Sequence, residues 1–266
     1  MFSKLRSLIF KVDPEKAHTL AIKSLKFNLF PNVFDENKND PIFQTKIFDK
    51  DLDNPIGMAA GFDKNAEVYN SLFKLGFGFV EVGTITPLKQ YGNPKPRVFR
   101  LVEEEALINR LGFNNQGAEI VKERIKRNTK LGLLGINVGP NKDSSDRLND
   151  YLIGLKTFYD EADYITINIS SPNTENLRTF HEGNKLQDLL KSIMEERKNL
   201  KSNIPIAVKV SPDISEDQVN QVSEILLDHE IKAIIVSNTS EATRDKLSNI
   251  QRHQKGGLSG KPIEKK

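Results

Sequence analysis

Apolar residues along this chain fall into two alternating rhythms. Short β-branched runs at residues 55–60, 79–85, 133–138, 164–169, 204–210 and 233–237 read as strands. Between them, near 65–75, 116–127, 146–160, 184–200 and 215–229, apolar positions recur three and four apart and predict amphipathic helices. The strand runs are nearly continuous, so both sheet faces are expected to be covered, as in a parallel sheet wrapped by helices. Ahead of the first strand, Leu5, Leu8, Ile9 and Val12, then Ala17, Leu20, Ala21, Ser24, Leu25 and Leu29, also recur at helical spacing, with Asp13-Pro14 opening a second helix. This predicts a short helix pair within residues 1–36 and a larger α/β domain over 37–266. The pair's polar face carries Lys4, Arg6, Lys11, Lys16, Lys23 and Lys26, which suits either packing on its own domain or resting on an anionic bilayer.

Polar residues and glycines gather at the carboxyl end of nearly every predicted strand. They are Gly61, Asp63, Lys64 and Asn65, then Gly83, Thr84 and Thr86, then Asn137, then Asn168 to Thr174, then Lys209 and Ser211, then Ser237, Asn238 and Thr239. Loops converging from many strands build the site of a (β/α)8 barrel, whereas a doubly wound sheet concentrates its site at one switch point. The expected fold is therefore an α/β TIM barrel, with about six of its eight βα units recognisable here.

One of these strand ends is chemically dense. Asn168-Ile169-Ser170-Ser171-Pro172-Asn173-Thr174 leaves a buried strand through a serine-proline break. Residue alternation puts Asn168 and Ser170 on one face, while Pro172 ends the ladder and frees Ser171, Asn173 and Thr174 for a loop. Taken alone, this is equally a polar turn closing a βα connection. The stretch Asn109-Arg110-Leu111-Gly112-Phe113-Asn114-Asn115-Gln116-Gly117 carries more amides than a linker needs, and Lys209 is a cation inside an apolar strand that requires an anionic or electron-rich partner. Gly256-Gly257-Leu258-Ser259-Gly260 reads as a glycine turn.

Composition narrows the class. The 266 residues carry 39 Lys+Arg against 36 Asp+Glu, spread along the chain, so no nucleic-acid footprint stands out. With Cys 0, thiolate metal sites, cysteine-held iron–sulfur clusters and cysteine nucleophiles are excluded. No metal site is expected. No apolar run approaches the roughly 20 residues of a spanning helix.

In this order, the motifs Ala59-Ala60-Gly61-Phe62-Asp63-Lys64-Asn65, Glu81-Val82-Gly83-Thr84-Ile85-Thr86-Pro87, Asn93-Pro94-Lys95-Pro96-Arg97-Val98-Phe99-Arg100-Leu101, Asn109 to Gly117, Asn168 to Thr174 and Ala207-Val208-Lys209-Val210-Ser211-Pro212-Asp213 resemble the dihydroorotate dehydrogenase family. The resemblance is to its membrane-associated, quinone-reducing class, class 2. It implies FMN-dependent oxidation of (S)-dihydroorotate to orotate with a membrane quinone as acceptor, in de novo pyrimidine (UMP) biosynthesis. It further implies peripheral association with the cytoplasmic side of a bacterial-type cell membrane. By position, it assigns FMN contacts to Ala60, Gly61, Phe62, Asp63, Lys64, Thr84, Asn137, Asn168, Lys209, Ser237 and Gly260. Substrate contacts fall to Lys64, Asn109, Arg110, Leu111, Gly112, Phe113, Asn168, Asn173, Asn238 and Thr239. Ser171 takes the place of the catalytic base, with Thr174 and Phe113 near its proton exit, and His18 and Arg100 line a quinone tunnel formed with the N-terminal helices. The soluble classes use a cysteine as base, so a chain without cysteine points to the quinone class.

Family members continue past the point matching Lys266 with two further strands that carry the FMN phosphate site. The expectation is therefore of a C-terminally truncated sequence. Two alternatives stay open at this stage: a non-catalytic relative unable to hold FMN, and a barrel lyase using Lys209 as a Schiff base.

Overall fold

The computed structural model describes residues 6, 9–29, 40–242 and 244–265. Leu5, Leu8 and Lys4 of the first N-terminal helix, and the expected domain boundary at 36/37, lie outside these residues. Helix α1 (Pro14–Lys26) begins where Asp13-Pro14 predicts. The Asp13 carboxylate accepts the N–H groups of Glu15 and Lys16 at 3.1 and 2.9 Å, and Pro14 occupies the first turn, where it has no N–H to leave unpaired.

The central sheet has six parallel strands: β3 (Gly57–Met58), β4 (Phe79–Ile85), β7 (Leu133–Val138), β8 (Tyr164–Asn168), β9 (Ile206–Lys209) and β10 (Ala233–Ile235). Each strand lies beside its predecessor in this series, with no reversal of order, so the sheet is an arc of a (β/α)8 barrel and not a doubly wound sheet. The pleat sorts the side chains. Val80, Val82, Leu134, Ile136, Ile165, Ile167, Ile206 and Val208 face outward into the main core with the helices. Phe79, Leu133, Tyr164, Ala207, Ala233 and Ile235 face inward.

Helices α2 (Tyr69–Lys74), α3 (Ala118–Lys126), α4 (Arg147–Phe158), α5 (Gly183–Asn199) and α6 (Glu216–Asp228) follow the predicted order. Helix α2 starts four residues later than the periodicity suggests. The Asp63 carboxylate takes the N–H groups of Asn65, Glu67 and Val68 at 3.3, 2.8 and 2.7 Å, and Ala66 adopts φ 53°, so a turn replaces the expected first helical turn.

Two small sheets are not evident from the sequence. A hairpin of β1 (Thr45–Ile47) and β2 (Lys50–Leu52) plugs the amino-terminal end of the barrel, where Leu52, Ile47 and Phe48 meet Leu133 and Tyr164. Strands β5 (Val98–Leu101) and β6 (Ala106–Asn109) pair antiparallel, and β11 (Gly257–Gly260) adds to β6. The glycine turn expected at 256–260 is thus mostly a strand, and its glycines serve close packing. A Cβ on Gly257 would lie 1.8 Å from Thr239 Oγ1 and 3.0 Å from Pro172 Cγ. Only glycine lets β11 pass directly against the serine-proline loop and the end of β10.

Candidate active site

The strand ends and the antiparallel sheet enclose a cavity of about 550 Å3. Ala60, Gly61 and Lys64 reach it from the loop after β3, Thr84 from β4, Asn168, Ser171 and Asn173 from β8 and its loop, and Lys209 from β9. Ser237, Asn238 and Thr239 enter from beyond β10. Asn109, Leu111, Gly112 and Phe113 come from β6 and the amide-rich loop. The barrel thereby gathers most of the expected site residues from distant parts of the chain.

Six of the expected residues sit elsewhere. Asn137 is fully buried one layer below the cavity, and Thr174 is buried behind the serine-proline loop, its carbonyl accepting the Leu177 N–H. Asp63 is buried with its carboxylate committed to its own turn. The Arg110 guanidinium lies over the Phe99 ring and donates to the carbonyl of Pro96 and the side chain of Gln254. Phe62 and Gly260 line neighbouring cavities instead.

Beneath the cavity runs a continuous hydrogen-bond network that begins at Glu81. This carboxylate is 4% exposed and accepts from Asn137 Nδ2 (2.8 Å), Tyr164 Oη (3.0 Å) and Thr166 Oγ1 (2.8 Å). Asn137 Oδ1 then accepts from Thr84 Oγ1 (2.6 Å) and Asn168 Nδ2 (3.1 Å). Asn168 Oδ1 accepts from Ser170 N and Oγ, and Ser170 Oγ accepts from Asn238 Nδ2 at 2.9 Å. A carboxylate can only accept, so each amide above it has one orientation that satisfies the whole series. Gly135 makes the room: a Cβ there would lie 2.1 Å from the Tyr164 ring that reaches Glu81.

Two cations face this cavity. Lys209 is nearly buried and, among the described residues, makes no ion pair or hydrogen bond; burial lowers its pKa, opposed by the charge of Glu81. Lys64 donates to the Gly61 carbonyl at 2.6 Å, and burial pushes its pKa down to about 8, with Glu15 and Asp63 opposing and Arg97 reinforcing the shift. Near them Ser171 Oγ accepts the Asn173 N–H at 3.2 Å, and Asn173 Nδ2 donates to Asn109 Oδ1 at 3.3 Å. Uncharged donors and acceptors flanked by two ammonium groups suit a flat, polar ring bearing an anionic substituent.

A second cavity, of about 480 Å3, opens under α1. It is lined by His18, Ile22, Phe62 and Arg100 and shares Gly61, Lys64, Val98, Leu107, Leu111 and Asn114 with the first. His18 donates from Nε2 to the Phe62 carbonyl at 2.7 Å and stacks edge-on against the Phe62 ring. Its burial, and then the Lys64 charge, lower its pKa. Glu15 holds α1 down by a two-point ion pair with Arg97 at 3.1 and 2.6 Å.

Sequence reasoning passed over Glu81, Arg97 and Asn114. A signal existed for Glu81: it is the one charged residue inside an otherwise apolar strand, at an inward-facing position between Phe79 and Gly83.

A family model described as dihydroorotate dehydrogenase matches residues 42–266. A protein of Agrobacterium fabrum named dihydroorotate dehydrogenase (quinone) is 46% identical over 99% of this chain, which spans 73% of that relative. A protein of the same name from Buchnera aphidicola is 43% identical over 98% of the chain and 80% of the relative. The crystal structure of an Eimeria tenella DHODH in complex with ferulenol superposes with a TM-score of 0.88 at 36% identity, covering 94% of this chain and 73% of that one. On these matches, the chain belongs to the dihydroorotate dehydrogenase family.

Proposed function

We propose that this chain oxidises dihydroorotate to orotate at the strand-end cavity and delivers the electrons to a quinone, as a step of pyrimidine biosynthesis. The observation that carries this reading is the convergence of Ser171, Lys64, Lys209 and the amides of Asn109, Asn173 and Asn238 on one cavity. It also sets aside the lyase alternative, because Lys209 then has an electrostatic role in a family that the comparisons identify.

The residues present fit FMN as the bound flavin. Gly61 has φ 109°, and no atom lies within 4 Å of where its Cβ would stand, so the backbone at 60–61 offers an unobstructed wall. Lys209 supplies a nearly buried cation to the same space. Ala60, Gly61, Thr84, Asn168, Lys209 and Ser237 would hold the group, with Asn137 supporting them from below. When bound, FMN supplies the two-electron chemistry that links dihydroorotate to the quinone.

The chain's own residues do the rest. Lys64 pairs with the substrate carboxylate, and Asn109, Asn173, Asn238 and Thr239 meet the C=O and N–H edges of the ring. Ser171 Oγ takes the proton from the carbon next to the ring carbonyl. A hydroxyl is a weak base, so its own proton passes on to water as the substrate proton arrives, and the cationic field of Lys64 and Lys209 lowers the cost of the negative charge that develops on the substrate carbon. Lys209 also favours negative charge on a reduced ring system beside it.

The cavity under α1 is our candidate for the quinone path, with His18 and Arg100 on its wall. Leu20, Phe27 and Leu29 on and just after α1 are 59%, 70% and 71% exposed among lysines, which suits peripheral membrane association. No helix among the described residues is long and apolar enough to cross a membrane.

The test is the purified chain, assayed for bound flavin and for dihydroorotate-dependent quinone reduction. Flavin-bearing protein that turns over supports the reading. Folded, colourless protein that neither takes up FMN nor binds orotate would establish the non-catalytic alternative.

A further inference from the structure

The loop that carries Ser171 and Asn173 and the segment that carries Asn238 and Thr239 come from different strands, yet one guanidinium addresses both. Arg178 lies on the short turn Leu177–His181, just beyond the serine-proline loop. Its Nε donates to the Ser170 carbonyl at 3.1 Å, and its Nη2 donates to the Thr239 carbonyl at 2.8 Å. Its Nη1 pairs with Asp213 at 2.9 Å and, more loosely, with Glu241 at 3.4 Å. Asp213 in turn accepts the Ser240 hydroxyl at 2.5 Å and the Glu241 N–H at 2.8 Å, so it grips the same segment from the end of β9.

The turn that bears Arg178 is itself fixed. His181 is buried, and its Nδ1 donates to the Arg178 carbonyl at 2.9 Å while its Nε2 accepts the Ser211 N–H at 3.1 Å. The arginine therefore starts from a position tied to β9 and reaches the ends of β8 and β10. A planar fork with donors in three directions suits this task, and an ammonium on a flexible stem does not.

We propose that Arg178, paired with Asp213, is a positioning residue that holds the Ser171 loop in register with the Asn238–Thr239 segment, so that proton acceptor and substrate amides are seated as one unit. The proposal rests on the reading of this cavity as the dihydroorotate site. It predicts a specific pattern of failure: substrate seating and the dihydroorotate half-reaction suffer together, while reoxidation by quinone on the α1 side does not.

The experiment uses the full chain and Arg178→Lys, which keeps the charge and removes the fork. Three quantities are compared: orotate affinity by calorimetry, the rates of the two half-reactions by stopped flow, and amide exchange at Ser170, Asn173, Thr239 and Glu241. Orotate affinity and the dihydroorotate half-reaction should each fall about 10- to 100-fold, the scale on which ångström-level misplacement acts, with the quinone half-reaction within about twofold. The four amides should lose protection together, while those of β7 and β8 keep theirs. Should Arg178→Lys fail to fold, Asp213→Asn is the second variant and should loosen the same two segments.

Unchanged protection at the four amides, loosening of only one segment, or equal losses in both half-reactions would overturn the proposal. The exchange measurement reads the clasp without any ligand. A parent chain that binds neither flavin nor orotate therefore defeats the functional reading alone, and a working parent matched by Arg178→Lys in every measurement defeats the clasp alone.

Discussion

Replacing Glu81 tests whether the network under the cavity depends on a single acceptor. Three donors converge on this carboxylate, from Asn137, Tyr164 and Thr166, and none of the four residues is more than 4% exposed. Glu81→Ala leaves all three without a partner. A buried unsatisfied donor costs about 1–3 kcal/mol, and a water entering the new polar space would recover part of that, so about 3 kcal/mol is expected in total. That is a large share of the roughly 5–15 kcal/mol by which a domain is stable. Glu81→Gln behaves differently. Its Oε1 still accepts from Asn137, and its Nε2 donates to the two hydroxyls, which rotate to accept, so a loss of about 1 kcal/mol is expected. Urea unfolding followed by far-UV circular dichroism and by tyrosine emission, in a chain with no tryptophan, gives both values at unchanged m. A Glu81→Ala variant within about 1 kcal/mol of the parent, or one no weaker than Glu81→Gln, would refute the reasoning.

Three further outcomes are expected. Ser171→Ala should slow the dihydroorotate half-reaction about 10²- to 10⁴-fold with orotate affinity little changed, and a rate within about twofold of the parent would remove Ser171 from the role of base. Lys64 is protonated below its pKa of about 8, so orotate affinity measured by calorimetry should weaken as pH rises through that value, and Lys64→Met should abolish the dependence. For Glu15, burial alone would raise the pKa, but the Arg97 and Lys95 partners hold it below 4.5. Its stabilisation of α1 docking is therefore complete above 4.5 and lost as pH falls below it, which limited proteolysis of α1 across that range would register. Glu15→Gln should loosen α1 already at neutral pH.

The elements that were legible in the sequence are those whose environment is uniform. Strands β4 and β7 match their expected bounds because both faces are covered: every residue from Val80 to Ile85 and from Leu133 to Val138 is buried, and apart from Glu81 none is charged. The sheet's edge strands are shorter than their apolar runs: β3 keeps only Gly57–Met58, and beyond β10 Val236 is 76% exposed. Hairpin β1–β2 was hidden because Phe48 and Asp49 take φ 52° and 64° where glycine or asparagine is the usual signal. The site was legible as a set of strand ends, since polar residues in apolar strands need a common destination. The residues that align that set were not. Glu81 lies 85 positions from Thr166 and Arg178 lies 35 from Asp213, and nothing local in either segment announces the pairing.

This division between visible donors and hidden organisers bears on the role of base proposed for Ser171. No carboxylate or histidine among the described residues hydrogen-bonds Ser171, so direct proton relay in the manner of a nucleophile–histidine pair is absent from the geometry. What surrounds the hydroxyl is a fixed arrangement of charge: Lys64 and Lys209 at the cavity, and Glu81 one layer below with its negative charge spread over three donors. The carboxylate keeps its distance from Ser171 while fixing Asn137 and Asn168, and through Ser170 and Asn238 it sets the amides on the far wall. Preorganised dipoles and cations act without reorganising at the moment of proton transfer, which is the condition under which electrostatic stabilisation is largest. On the proposed reading, the capacity of Ser171 to accept a proton depends on the whole cavity, and substitutions at Glu81 or Arg178 should weaken it without touching the serine.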